Sequence, residues 1–508
     1  MSILDAIQQH AETRPDHPAL QGSHATISYK ALPGEINAAA AFILQSGIPD
    51  VHPQAVAIAM DNDPAWGVLD LACLQLQIPV VPLPGFFSPQ QIAHAIQDAG
   101  INTLFCQQPM VMEQLLLAQG YQMVSKQHKL VGGQLVSRLQ FENPEPRTLP
   151  TGTAKVTYTS GTTGQPKGVC LSAQAMELVS RSLADVTAAS VQDRHLSILP
   201  LSTLLENIAG LYLPLLVGAT ATLFTSSRVG LSGASGLNVP QLLKTIQEAN
   251  PTTLLLIPEL LRALVMAAES GWVPPASLRL IAVGGARVAP RLLQRAEELG
   301  LPVCEGYGLS ECASVVAFNP PGQQRPGTVG KLLPHVQLAF ASDGELLVAG
   351  STLLGYAAQP AMHVTYWPTG DIGYLDEDGY VHITGRKKNI YITSYGRNVS
   401  PEWVESELAL SPVIAQVAVF GEARPWSVAV IVPRVSGDIH AQIEAAVQQA
   451  NQTLPDYARV QQWILADQPF TPQNQQLTPN GRLRRDAIWQ QYAACINALY
   501  EREHHEIL

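Results

Sequence analysis

Short apolar runs alternate with longer stretches in which apolar residues recur every three or four positions. The runs AVAIAM (55–60), IPVVPL (78–83), TLF (103–105), HLSILPL (195–201), TTLLLIP (252–258) and LRLIAVGG (278–285) read as buried strands. PQQIAHAIQDAG and PQLLKTIQEAN, which lie between such runs, read as amphipathic helices. This alternation predicts an α/β protein with substantial parallel sheet. The uncharged segment from Ile208 to Phe224 reaches the lower length of a membrane span. Gly210, Pro214 and Gly218 interrupt it and its end, ATATLF, is strand-like, so the pattern predicts a buried helix followed by a core strand, with no transmembrane segment.

The texture changes after about residue 330. Asp343-Gly344 and Asp378-Gly379 stand between β-rich runs and predict hairpin turns. Beyond residue 388 the pattern becomes a helix from Pro401, strands AVF and VAVIVP, a helix across 438–452 and a strand near 459–465. These elements make a small α+β domain of about 120 residues. The predicted division is a large N-terminal α/β region with several subdomains over 1–385, a hinge at 386–388 and a mobile C-terminal domain over 389–508.

Composition narrows the function classes. The 508 residues suggest roughly two to four packed units. Hydrophobic residues make up 46% and charged residues only 14%, which argues against disorder. A formal net charge of -11 argues against nucleic-acid binding, which needs basic surface. The six cysteines are scattered without a CxxC pair, which fits reduced thiols in the cytoplasm and core positions for Cys304 and Cys312. No basic segment followed by an apolar core opens the chain, so no signal peptide is expected.

The chemistry is concentrated in KVTYTSGTTGQPKGV, residues 155–169. After a strand, Thr159, Ser160, Thr162 and Thr163 supply hydroxyls. Gly161, Gly164 and Gly168 let backbone approach a ligand, and Lys167 adds a cation. Such a loop suits a triphosphate. It differs from the GxxxxGK[ST] phosphate loop, because Gly168 follows the lysine and no hydroxyl is placed for magnesium. Composition alone leaves a plain Gly/Thr surface turn equally open.

Three further segments follow in order. EGYGLSECASVV (305–316) carries a carboxylate at Glu311, able to bind Mg²⁺, and an aromatic ring at Tyr307 for a base. WPTGDIGYLDEDGYVHITGRKKN (367–389) contains Asp371, Arg386 and Lys388, and LTPNGRLRRDAI (477–488) contains Arg482, Arg484 and Arg485. Together these segments resemble the adenylate-forming superfamily of acyl- and aryl-CoA synthetases, peptide-synthetase adenylation domains and firefly-type luciferases. The resemblance covers nearly the whole chain.

The resemblance implies ATP, Mg²⁺ and a thiol acceptor, coenzyme A or a carrier-protein phosphopantetheine. It assigns Lys167 and the loop to the phosphates, and Glu311 to the metal. Glu305, Gly306, Tyr307, Gly308 and Ser310 go to the nucleotide, with Ser310 standing where threonine is usual. GGARVAP (284–290) resembles the segment lining the adenine and the floor of the acyl pocket, which implicates Gly284, Gly285 and Ala286. Asp371 and Arg386 match residues that reach the ribose, and Lys388 matches the hinge about which the small domain rotates. Arg482 occupies the place of a lysine that bridges substrate carboxylate and α-phosphate. Its fork keeps the charge and can grip both oxyanions, while Arg484 or Arg485 is an alternative donor. YGRNVSPEWVE (395–405) provides a helix start at Ser400-Pro401.

LPLSTLLENIAGLY (199–212) places Thr203, Glu206 and Asn207 at the substrate pocket. It lacks the aspartate that amino-acid-activating relatives use for the α-ammonium and is similar to fatty-acyl-CoA synthetases. Glu206 is alternatively a structural carboxylate paired with backbone or arginine. The expected substrate is a medium or long acyl acid, then an aryl acid. Other readings are a ligase loading a separate acyl carrier protein, or a weakened homologue that binds acyl groups or nucleotide.

Overall fold

The structure is a computed structural model and describes residues 1–506 except 46–53, 144–146, 160–165, 234–235, 363, 435–436, 438 and 479–480. Among these residues two large mixed sheets dominate. In one, the strands Pro18–Gln21, Thr220–Thr222, Arg194–Leu196, Thr253–Leu256, Leu280–Val283 and Val303–Tyr307 lie side by side and parallel. In the other, Lys155–Thr159, Val80–Pro82, Val56–Ala59 and Thr103–Cys106 are parallel. Antiparallel strands extend both sheets. Short loops and amphipathic helices such as Pro89–Asp98 and Val239–Ala249 make the crossovers that parallel pairing requires. One apolar core joins the sheets, with Trp66, Phe42 and Tyr212 almost wholly enclosed.

A four-stranded antiparallel sheet follows, and both of its Asp-Gly turns fall between paired strands. The C-terminal part has its own three-stranded sheet, Ile414–Phe420, Ser427–Pro433 and Val460–Leu465. The helices Pro401–Leu408, His440–Asn451 and Arg485–Glu506 pack against it, around two apolar clusters of its own. The fold is therefore α/β with parallel sheets and a separate C-terminal α+β domain.

Several local expectations change. The run 195–201 forms a strand only over Arg194–Leu196. Beyond it, Leu199 N–H donates to Glu206 and Leu201 N–H to Asn62, so side chains replace the ladder partners. Within 208–224 the helix is of an unusual kind. Asn207–Tyr212 is a π-helix, continued by the α-helix Leu213–Val217 and then by the core strand Thr220–Thr222. Among the described residues no helix is long and apolar enough to cross a membrane. Ser400 occupies the N-cap of Pro401–Leu408, but its hydroxyl donates to Glu402 instead of capping the helix. Cys304 and Cys312 are buried and unbonded to other cysteines, and burial pushes the Cys304 thiol up to about 11.

Candidate active site

The strand Lys155–Thr159 pairs antiparallel with Lys167–Leu171, so Thr159 lies opposite Lys167. This ladder closes the base of the Gly/Thr loop. The loop residues Ser160, Gly161, Thr162, Thr163 and Gly164 lie outside the described residues. The exposed Lys167 ammonium sits 5.5 Å from the centre of the Tyr356 ring. Tyr356 comes from the short strand Gly355–Tyr356, which pairs with the other edge of the lysine strand. Its hydroxyl donates to Glu311 Oε1 at 3.3 Å, and burial keeps that phenol protonated. Lys167 and Glu311 are thus joined through a tyrosine for which the sequence pattern carried no signal.

Glu311 reaches this place because the strand Val303–Tyr307 ends in a tight loop. A Cβ on Gly308 would come 1.5 Å from the carbonyl oxygen of Ser314, so only glycine fits there. Ala313 and Ser314 hold positive φ, and the 3₁₀ turn Ser310–Cys312 carries Glu311. Gly306, Gly308 and Ser310 accompany it at the strand's end, all half-buried.

Tyr307 and Asp371 form the second half of the site. The Tyr307 hydroxyl donates to Asp371 Oδ2 at 2.5 Å. Arg386 stands directly opposite Asp371 in the hairpin of Trp367–Leu375 and Val381–Arg386, and its Nε contacts Asp371 Oδ1 at 2.7 Å. Asp371 is only 2% exposed. Burial raises its carboxyl above the ordinary range, with Arg386 and the Tyr307 hydroxyl opposing the shift.

Two more cations face this half. Arg482 is exposed. Its guanidinium is held below its ordinary pKa first by desolvation and then by Arg386, while Asp371 and Glu311 pull the other way. Lys388 is depressed by desolvation and then by Arg386 and Arg482. Lys387, between Arg386 and Lys388, is instead tied to Asp343 and Glu345. Arg386 is therefore paired with Asp371, Arg482 feels Arg386, Asp371 and Glu311, and Lys388 feels both arginines together with Asp486 and Glu402.

Of the alternative donors, Arg485 is committed elsewhere. Arg485 makes a bidentate pair with Glu405, both contacts at 2.6 Å, and lies 3.7 Å from Glu402. It locks the last helix to Pro401–Leu408. Arg484 is half-buried, and its backbone N–H bonds the Gln476 carbonyl. The three arginines do not form one basic surface strip.

The acyl-side residues divide. Thr203 is half-buried, with its hydroxyl donating to the Pro200 carbonyl at 2.7 Å. Gly284 is buried, and a Cβ there would meet the Gly306 carbonyl at 3.2 Å and Leu205 Cδ2 at 4.0 Å. Gly285 and Ala286 are exposed beside it. Glu206 and Asn207 are enclosed rather than pocket-lining. Glu206 pairs with His195 Nε2 at 2.9 Å and accepts from Leu199 N–H, so it is a structural carboxylate whose side-chain partner is histidine, not arginine. Asn207 bonds Lys155 and Asp70. Glu305 also turns inward, facing Arg287 and a separate polar cavity of about 250 Å³ lined by Asn319, Gln324 and Arg325. Burial pushes its carboxyl up to about 8.

The donor set fits ATP and Mg²⁺. Lys167, Arg386 and Arg482 stand with the two acids Glu311 and Asp371, which leaves positive charge for phosphate oxygens. Glu311 offers the single carboxylate with which Mg²⁺ is commonly held alongside nucleotide phosphates.

Comparison with known proteins agrees. The AMP-binding enzyme family model matches residues 7–356, and the AMP-binding enzyme C-terminal domain matches 388–504. A long-chain-fatty-acid–CoA ligase of Mycobacterium bovis is 26% identical, over 99% of this chain and 97% of that protein. An indoleacetate–CoA ligase of Aromatoleum aromaticum is 28% identical, over 85% and 88%. An anthranilate CoA ligase solved with anthranoyl-AMP has the same fold at a TM-score of 0.79, with 19% identity over 97% of this chain and 98% of that one. An o-succinylbenzoate–CoA synthetase of Bacillus subtilis, solved with ATP and magnesium, does so at 0.72, with 22% identity over 95% and 98%. With the family match spanning most of the chain and a charged cleft fitted to a nucleotide, this protein belongs to the AMP-binding enzyme family and is an AMP-forming acid–thiol ligase that uses ATP and Mg²⁺.

Proposed function

We propose that the enzyme activates a fatty acid of medium or long chain as its acyl-adenylate and passes the acyl group to coenzyme A. The observation that carries this reading is that Lys167 is joined to Glu311 through Tyr356, and Arg386 to Tyr307 through Asp371, with Arg482 acting on Asp371 and Glu311. The substrate carboxylate attacks the α-phosphorus, and the bond from that phosphorus to the β-phosphate bridge breaks, releasing pyrophosphate. Catalysis is then mainly positioning and charge neutralisation. Lys167 and the 159–164 loop hold the phosphates. Asp371 and Arg386 hold the ribose, and Tyr307 holds Asp371. Mg²⁺, held by Glu311, supplies further neutralisation when bound. Arg482 grips carboxylate and α-phosphate together.

The adenylate is a mixed anhydride. Attack of a thiolate on its carbonyl carbon forms the thioester and expels AMP. In this reading Lys388 is the hinge for the rotation of the C-terminal domain between the two steps. Coenzyme A is favoured because relatives on both fatty and aryl acids are named as CoA ligases. A carrier-protein phosphopantetheine is the alternative acceptor. The unpaired cysteines favour a reducing compartment, the cytoplasm.

The nature of the pocket supports an acid without an amine. Glu206 is committed to His195 and a backbone N–H, so it offers nothing to an α-ammonium. The half-buried side chains beside it, Leu205 and Ala209, are apolar. Aryl acids are the second class, since indoleacetate and anthranilate ligases are among the relatives. Acid-dependent ATP–pyrophosphate exchange over fatty, aryl and amino acids tests the reading, followed by thioester assay with coenzyme A and with carrier protein. The best exchange is expected with straight-chain acids. Exchange with none of the acids overturns the function, and a preference for aryl or amino acids overturns the substrate class.

A further inference from the structure

Behind the acyl side of the cleft lies a buried ionic cluster that the adenylation chemistry does not use. Lys155 is the first residue of the strand leading into the Gly/Thr loop, and Asp70 lies on the helix Pro64–Leu76. Lys155 Nζ meets Asp70 Oδ1 at 2.8 Å, with side chains 1% and 0% exposed. Asn207 and Tyr212, the first and last residues of the π-helix, complete the group. The Tyr212 hydroxyl donates to Asp70 Oδ2 at 2.7 Å and accepts from Lys155 at 3.1 Å. Asn207 accepts from Lys155 and donates to Asp70 at 3.4 Å. The three ammonium protons thus have three acceptors.

The opposite side of the same helix is clamped too. Glu206 immediately precedes it and pairs with His195, whose other ring nitrogen lies 3.0 Å from the Thr253 hydroxyl. Gly210 allows this approach, since a Cβ there would come 2.2 Å from Glu206 Oε1 and 2.7 Å from Ser197 Oγ.

Stability alone does not account for such a cluster. Replacing a buried ion pair with well-packed apolar residues is commonly neutral or stabilising. π-Helical turns are rare and concentrate at functional sites. Here the turn extends to Leu213, whose N–H bonds the Ile208 carbonyl five residues back. Leu205, just before the π-helix, approaches Gly284, and Ala209 lines a small apolar cavity of about 50 Å³ together with His195, Leu255, Ala282 and Phe318.

We propose that Lys155, Asp70, Asn207 and Tyr212 are positioning residues: they lock the π-helix to the strand that enters the phosphate loop and so set the wall against which the acid binds. This rests on the proposed reading that the acid lies beside Gly284. None of the four touches the reacting atoms. Breaking the lock lets residues 204–217 shift, which weakens acid binding and selectivity while leaving the nucleotide half intact.

The test compares the native chain with Lys155→Met/Asp70→Leu, which substitutes apolar volume for the pair, and with Tyr212→Phe, which removes one hydroxyl. KM for acid, KM for ATP and kcat are measured by pyrophosphate exchange over acids of graded length. Amide hydrogen exchange is followed over residues 199–217. The expected result for the double variant is native-like resistance to urea, a KM for acid raised about tenfold or a changed ranking of acids, and a KM for ATP within about twofold. Protection over 204–217 should fall about tenfold or more. A folded variant with native acid KM, ranking and protection overturns the proposal. If the double variant fails to fold, Tyr212→Phe decides: a severalfold rise in acid KM at constant ATP KM upholds the proposal, and unchanged kinetics overturn it. If the native chain shows no exchange with any acid, the functional reading has failed independently. Hydrogen exchange of the variants then decides alone, with loss confined to 204–217 upholding the lock and a uniform or absent change overturning it.

Discussion

Replacing Arg482 by alanine separates catalysis from stability in this enzyme. The backbone around it is held without the side chain: Thr478 N–H bonds the Arg482 carbonyl at 2.7 Å, and Arg482 N–H bonds the Thr478 hydroxyl at 3.0 Å. Its guanidinium is repelled by Arg386 and attracted by Asp371 and Glu311. Truncation therefore removes repulsion from Arg386 together with attraction to Asp371 and Glu311, effects that oppose one another, and the thermal midpoint is expected to stay within about 2 °C of native. In the proposed mechanism the same residue faces the negative charge that develops between carboxylate and α-phosphate. One positioned donor of this kind is worth about 3–4 kcal/mol, so pyrophosphate exchange should fall about 10²–10³-fold in kcat. Lys167 and Arg386 remain in place, which keeps the loss from being larger. Arg482→Lys retains charge but loses the fork, and exchange within about tenfold of native is expected. The assay is isotopic exchange at saturating acid, with a melting curve for each variant. Exchange by Arg482→Ala within about threefold of native would refute the assignment. So would a large fall in melting temperature, since that would make Arg482 a structural residue.

Asp371→Asn removes the charge that pairs with Arg386 and leaves one acceptor oxygen where two served Arg386 and the Tyr307 hydroxyl. We expect KM for ATP to rise at least about tenfold with little change in KM for acid, measured by the same exchange. Arg485→Met leaves buried Glu405 unpaired and should cost about 3–5 kcal/mol in urea unfolding of the C-terminal domain, while Arg485→Met/Glu405→Leu should recover most of it. Glu305 has its pKa raised to about 8 against an ordinary 4.5, so the folded state holds a proton that the unfolded state releases between those values. Its contribution is full below about pH 4.5 and is lost as pH rises towards 8, with a slope of up to ~1.4 kcal/mol per pH unit. Glu305→Gln should flatten that part of the stability profile, and an unchanged slope would count against the raised value.

Much of the architecture was legible because it rests on local pattern. Buried runs such as 253–256 and 280–283 became parallel strands, and the two Asp-Gly turns joined hairpins. The strand at 195–201 was overread, because an apolar run does not reveal that Glu206 and Asn62 will take its N–H groups. The long hairpin of Gln122–Val131 and Gln134–Glu142 also escaped, since its first strand is polar on most positions and shows no buried run.

The site divides in the same way. Lys167, Glu311, Asp371 and Arg386 could be proposed from the sequence because each sits in a short motif whose spacing is set by a turn or a strand end. Tyr356 could not, because it reaches Glu311 only through pairing of a two-residue strand with the lysine strand. Arg482 and Arg485 stand three positions apart in one basic stretch, yet one faces the cleft and the other is consumed by Glu405. Glu206 resembled a pocket residue until His195 claimed it, and Lys155 gave no sign of Asp70, 85 positions away. The sequence by itself determined most of the elements, the motifs proposed to bind nucleotide and hence the family, since these depend on periodicity and short-range spacing. The tertiary structure alone decided which charged side chains are free for ligand and which neutralise one another. A buried charge must find a partner wherever folding brings one within about 3 Å, and no short-range pattern along the chain encodes that encounter.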